Sequence, residues 1–112
     1  MTDSFLARVQ DAYRQVQNEQ VAALEAFDGR LETVRDTWDR PEGGGGDTRI
    51  LRNGRVIEKG GLNFSAVQGA VSPGLKQQMN TEAERFAATG VSSVLHPHNP
   101  HVPIIHMNVR YF

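Results

Sequence analysis

Thr48-Arg49-Ile50-Leu51-Arg52-Asn53-Gly54-Arg55-Val56-Ile57-Glu58-Lys59 is the stretch on which the fold turns. Two short β-rich runs flank Asn53-Gly54. Both central residues of a two-residue hairpin turn must tolerate positive φ, and Asn-Gly does so better than other pairs. The stretch therefore predicts an antiparallel hairpin. Upstream, residues 31–38 alternate with period two, Glu32, Val34, Asp36 and Trp38 on one face and Leu31, Thr33, Arg35 and Thr37 on the other. Downstream, residues 62–67, 84–95 and 104–112 also read as strands, which gives five or six in all. Gly60-Gly61 is read as a break in the pattern.

Other segments fill the gaps. Residues 3–27 read as one amphipathic helix. Phe5, Val9, Ala12, Val16, Leu24 and Phe27 recur at three- and four-residue steps as its apolar face. Thr2 or Asp3 can cap its start, and Asp28-Gly29 fits its end. Asp39-Arg40-Pro41-Glu42-Gly43-Gly44-Gly45-Gly46-Asp47 is expected to be an irregular loop. Residues 71–80 are a loop or a short helix after Pro73. His96-Pro97-His98-Asn99-Pro100-His101-Val102-Pro103 is a stiff loop, because three prolines fix φ and remove amide donors. One helix followed by hairpin-linked strands predicts an α+β fold, a mainly antiparallel sheet with helical cover. The last residues, Val109-Arg110-Tyr111-Phe112, lie within an apparent strand, so the sheet is expected to be part of a larger one.

Composition narrows the function. The 112 residues carry 12 Lys and Arg against 13 Asp and Glu, a net charge of −1. No general basic field draws the chain to nucleic acid or anionic membrane. No apolar run approaches the length of a membrane span. The absence of cysteine excludes disulfides, thiolate metal sites and Cys nucleophiles. The first residues resemble neither a signal nor a transit peptide, so a cytoplasmic location is expected.

Three constellations could carry chemistry. Four consecutive glycines can form a flexible loop or an anion nest. They match neither a Walker loop nor GxGxxG. Arg40, Glu42 and Arg49 beside them could order the loop or meet an acidic ligand. The four histidines, His96, His98, His101 and His106, fall within eleven residues. His96 and His98 point opposite ways on an extended segment, and no Asp or Glu follows residue 89 to complete a metal shell. His106-x-Asn108-x-Arg110 is sharper: residues i, i+2 and i+4 share one strand face. It offers a proton carrier, an amide and a planar fork for carboxylate. Met107, Val109 and Tyr111 would face the other way. Ser92 joins the row if its strand pairs with this one. The plain alternative is the solvated face of an edge strand.

Trp38-Asp39-Arg40-Pro41-Glu42-Gly43-Gly44-Gly45-Gly46 and Glu58-Lys59-Gly60-Gly61-Leu62-Asn63-Phe64-Ser65 resemble the oxygen-dependent coproporphyrinogen III oxidases. So do Gly90-Val91-Ser92-Ser93-Val94-Leu95-His96-Pro97-His98-Asn99-Pro100-His101-Val102-Pro103 and His106-Met107-Asn108-Val109-Arg110-Tyr111-Phe112. The resemblance implies oxidative decarboxylation of two propionates of coproporphyrinogen III to vinyls, giving protoporphyrinogen IX in haem biosynthesis. Dioxygen is the co-substrate, and there is no organic cofactor. It implies a divalent metal such as manganese in some bacterial members and none in others. It also implies a homodimer built on a large antiparallel sheet flanked by helices.

By position, Ser92, Asn108, Val109 and Arg110 correspond to substrate-binding residues. His106 corresponds to a proton donor, and His96 and His106 to two of four metal ligands. Family chains are much longer. Residues 1–112 are therefore expected to be the N-terminal portion of a single domain, with little or no turnover alone. Two other readings stand beside the enzyme. One is a non-catalytic module that binds tetrapyrrole carboxylates or a metal. The other is an inert fragment whose exposed sheet edge associates with other chains.

Overall fold

The computed structural model describes residues 3–112, and side chains from Phe5 onward. The element order is α1 (Asp3–Asp28), β1 (Glu32–Asp39), β2 (Gly44–Arg52), β3 (Ile57–Ala70), α2 (Pro73–Met79), β4 (Arg85–Pro97) and β5 (Ile105–Tyr111). The five strands form one antiparallel meander, β1-β2-β3-β4-β5. The α+β expectation holds. The Thr2 or Asp3 cap concerns side chains outside the described residues.

α1 covers one face of the sheet. Leu51, Leu62, Phe64 and Val91 from β2, β3 and β4 are essentially inaccessible beneath it. Val21 joins Leu51 and Leu62 in one cluster, with Leu24, Leu31 and Leu95 packed around it. The guanidinium of Arg14 lies 4.3 Å from the Phe64 ring centroid, so a charged head closes the core where the helix has no apolar residue.

The helix's inward face shares Val9 and Leu24 with the one its apolar pattern suggests and departs from it elsewhere. Leu6, Tyr13, Gln17, Val21, Leu24 and Asp28 are buried or half-buried. Phe5, Val16 and Phe27 are exposed. Polar partners decide the rotation. Gln17 Nε2 donates to the backbone oxygens of Asp47 at 2.7 Å and Leu62 at 3.0 Å. Asp47 is itself buried, and its carboxylate takes Arg49 Nε at 3.0 Å and Arg35 Nη2 at 2.8 Å. Hydrogen bonding from Arg49, helped by Arg35, outweighs burial and holds the Asp47 carboxyl below its ordinary range.

Two segments expected to be irregular are strand. Gly44, Gly45 and Gly46 open β2, and Gly60-Gly61 lie within the long β3. The β1–β2 connection is a short turn in which Arg40 N–H donates to Gly44 O at 2.8 Å. Gly43 and Gly44 take φ of 130° and 93° there, conformations that L side chains rarely adopt. Arg40 Nη1 donates to Gln68 O at 2.7 Å, and Arg49 is held by Asp47 and Asn18. Arg40, which also donates to Gly43 O at 3.4 Å, thus orders the glycine turn, while Arg49 anchors Asp47 just after it.

The Asn53-Gly54 hairpin exists with a longer turn. Pairing ends at Arg52↔Lys59, and Asn53 alone of the two takes positive φ, 57°. Residues 53–56 instead wrap around the carboxylate of Asp28. Residues 73–79 form α2, capped by the Ser72 hydroxyl accepting from Leu75 N–H at 3.1 Å.

Candidate functional site

Among the described residues, α1 is the helix packed on the sheet, and the second face is left uncovered over most of its area. Alternation sends Val91, Ser93 and Leu95 of β4 toward α1, and Ser92, Val94 and His96 away from it. In β5, Ile105 and Met107 line a cleft with Gln20 and Leu24 of α1, and Tyr111 meets Phe5 with ring centroids 5.6 Å apart. His106, Asn108 and Arg110 therefore project from the open face.

The register brings four of the expected residues together. Ser92 lies directly opposite Asn108. His106 opposes Val94 and Arg110 opposes Gly90, one pleat to either side. The result is a patch of hydroxyl, amide, imidazole and guanidinium groups on neighbouring strands. Val109 belongs to the other face, opposite Val91. Only its backbone can take part in this patch.

The four histidines separate by role. His98 is structural: its backbone N–H donates to Val56 O at 3.0 Å, and its Nε2 lies 2.9 Å from Gly54 O. This clamps the 98–104 loop onto the β2–β3 turn. His101 is exposed in the loop, with its N–H on the Asn99 side chain at 2.9 Å. His96 shares the open face with His106, diagonally across β4 and β5. Its direct neighbour on β3 is Lys59, a cation. Among the described residues no three His, Asp or Glu side chains gather as metal ligands. Two diagonal imidazoles beside a lysine do not complete a shell, and manganese favours oxygen donors. The residues of this chain do not by themselves fit the implied divalent metal.

The row extends further than the sequence motif. Across the sheet, Asp36, Thr48, Asn63, Ser92 and Asn108 stand in register on β1 to β5. Beside it run Trp38, Gly46, Ser65, Gly90 and Arg110. Thr48 and Asn63 escape a motif-by-motif reading. Strand alternation assigns each to a face, but only the register puts them in line with Ser92. At the far end of the same face, Phe86 stacks on Phe112 with centroids 6.0 Å apart. Arg40 lies 5.9 Å from the Phe86 centroid.

Residues 8–112 match the family model described as Coproporphyrinogen III oxidase. The chain belongs to the coproporphyrinogen III oxidase family. It is 48% identical over 108 residues to an oxygen-dependent coproporphyrinogen-III oxidase of Parasynechococcus marenigrum, covering 95% of this chain and 30% of that one. It is 50% identical over 99 residues to the Synechococcus sp. protein of the same name, covering 87% and 27%. The Prochlorococcus marinus protein is 43% identical over 108 residues, covering 95% and 31%. The chain thus spans about 30% of the length of these curated relatives. No helix among the described residues is long and apolar enough to cross a membrane.

Proposed function

We propose that this chain provides the carboxylate-binding sheet face of an oxygen-dependent coproporphyrinogen III oxidase of haem biosynthesis. The observation that carries this reading is the register. Ser92 and Asn108 are direct cross-strand neighbours, with His106 and Arg110 on the same uncovered face, in a chain of this family. A propionate needs a planar pair of donors, and Arg110 supplies them. Ser92 and Asn108 add neutral donors beside it, and Val109 contributes through its backbone. Gly46 and Gly90 add no side chains to the neighbouring row, which leaves room for a bulky macrocycle.

The reaction follows from the substrate. Conversion of each propionate to a vinyl releases one carbon as carbon dioxide, one proton and two electrons. Dioxygen takes the electrons. His106 is placed to exchange protons next to the carboxylate site. The relatives are about three times as long, so further substrate contacts and turnover belong to a longer protein. That protein is expected to be a homodimer in the cytoplasm.

The test is direct. The purified chain is incubated aerobically with coproporphyrinogen III, and binding of coproporphyrin III is titrated by fluorescence. No vinyl product is expected. Binding is expected, and Arg110→Ala should weaken it about tenfold, the loss of one charge-assisted contact. Product from the chain alone, or binding indifferent to Arg110, would overturn this reading.

A further inference from the structure

A chain of hydrogen bonds runs across the open face toward Ser92 from the side opposite Arg110. Trp38 Nε1–H donates to Thr48 Oγ1 at 3.3 Å. Thr48 Oγ1 lies 2.6 Å from Asn63 Oδ1. An indole N–H can only donate, so the Thr48 oxygen accepts there, and the Thr48 hydroxyl in turn donates to Asn63 Oδ1. This sets the Asn63 amide. Its oxygen points back to β2, and its NH2 points the other way. On that side Asn63 is in register with Ser92, and Ser92 with Asn108. Among the described residues the Asn63 NH2 has no protein acceptor.

We propose that Asn63 is a further carboxylate-binding residue, its NH2 donating to the anionic group met by Ser92, Asn108 and Arg110. Trp38 and Thr48 are positioning residues that hold this amide donor-outward. The inference rests on the reading of the open face given above and deepens it. The chemistry is specific. A polar row on an uncovered face could be satisfied by water, and water imposes no orientation. Here the Thr48 hydroxyl, itself accepting from the indole, engages the amide oxygen and leaves the amide protons available to an anion. A neutral donor also grips a carboxylate without adding net charge next to Arg110.

Asn63→Asp is the most sensitive variant. It keeps an acceptor for the Thr48 hydroxyl, removes both amide protons and adds a negative charge. An Asn63 that only lies near the anion would respond to the added charge of Asn63→Asp but not to Asn63→Ala, so the loss in Asn63→Ala and the shift of the Asn63 NH2 resonances carry the distinction. Coproporphyrin III is titrated against the wild-type chain, Asn63→Asp, Asn63→Ala, Thr48→Val, Thr48→Ser and Arg110→Ala. Asn63→Asp is expected to weaken binding at least tenfold and more than Asn63→Ala. Thr48→Val is expected to weaken it severalfold, with Thr48→Ser restoring it.

In the wild-type chain the Asn63 side-chain NH2 resonances should shift on addition of coproporphyrin III. This readout needs no variant to fold. If Arg110→Ala loses binding while Asn63→Ala binds like wild type, or if the Asn63 resonances stay still, the proposal fails and the carboxylate-face reading stands. If the wild-type chain does not bind, or Arg110→Ala binds unchanged, that reading fails and the Asn63 proposal falls with it.

Discussion

Asp28 ends α1 with its carboxylate turned into the β2–β3 connection, where Oδ2 accepts the amide proton of Ile57 at 2.9 Å. The same oxygen accepts from Val56 at 2.9 Å, and Oδ1 accepts from Arg55 at 2.6 Å and Arg30 at 3.2 Å. One side chain thus satisfies four amides of two turns and ties the helix end to the sheet. Burial alone would raise its pKa. The amides outweigh burial and hold the carboxyl well below the ordinary range.

Replacing this anion should be costly. Asp28→Asn keeps the shape but sets an NH2 against backbone donors, and the expected loss is about 3 kcal/mol. The pH dependence has a definite sign. A carboxyl with a depressed folded pKa stabilises fully above its unfolded value near 4 and loses that contribution as pH falls below it. The gap between wild type and Asp28→Asn in urea denaturation should be constant from neutral pH down to about 5 and narrow on further acidification. A gap that widens in acid would refute the role.

The same residue marks the limit of sequence reading. Hairpins, strand alternation and the His106-Asn108-Arg110 face were legible because each is a local pattern. The inward face of α1 was legible only in part, because Gln17 and Asp28 look like surface residues until their partners appear on β2, on β3 and in the β2–β3 turn. The glycines misled for a related reason. Gly44 to Gly46 read as a loop, yet their lack of side chains lets β2 lie close to β3 at Gly44 and against Trp38 at Gly45 and Gly46. Thr48 and Asn63 required the register, which no local pattern states.

Gln17 and Phe27 offer a direct comparison. Gln17 is buried and donates to two backbone oxygens, while Phe27 is 63% exposed despite its apolar ring. Gln17→Leu should destabilise by about 1–3 kcal/mol, because the two carbonyls lose their buried donor. Phe27→Ser should stay within about 0.5 kcal/mol. Thermal or urea unfolding of the two variants side by side decides the matter. The reverse order would restore the face suggested by apolar spacing.

Gly46 permits the indole of Trp38 to lie across β2 and reach Thr48, since a Cβ there would overlap the ring. Two effects compete in Gly46→Ala. Removing a strand glycine gains about 0.5–1 kcal/mol in backbone terms. Overpacking costs about 1–3 kcal/mol. The overlap involves ring atoms and the Phe64 carbonyl, so overpacking should win, leaving a net loss of about 1–2 kcal/mol. Trp38 is the sole tryptophan, so its emission should also shift as the ring leaves Thr48. Unchanged emission with higher stability would show that the ring has room to move.

β5 has a neighbour on one side only among the described residues. Its exposed residues include Ile105 at 57% and Val109 at 43%, followed by Phe112 at 56%. An unpaired row of backbone groups flanked by apolar side chains is a template for another strand. The purified chain should therefore associate as its concentration rises, with a second copy pairing along β5. Ile105→Lys puts a charge on this edge at an exposed position. It should suppress association in light scattering while changing stability by no more than about 0.5 kcal/mol. Raising the salt concentration should partly reverse the suppression, because screening weakens repulsion between the introduced lysines. Association that persists unchanged in Ile105→Lys would place the contact elsewhere, with the exposed Phe27 side of α1 the next surface to test.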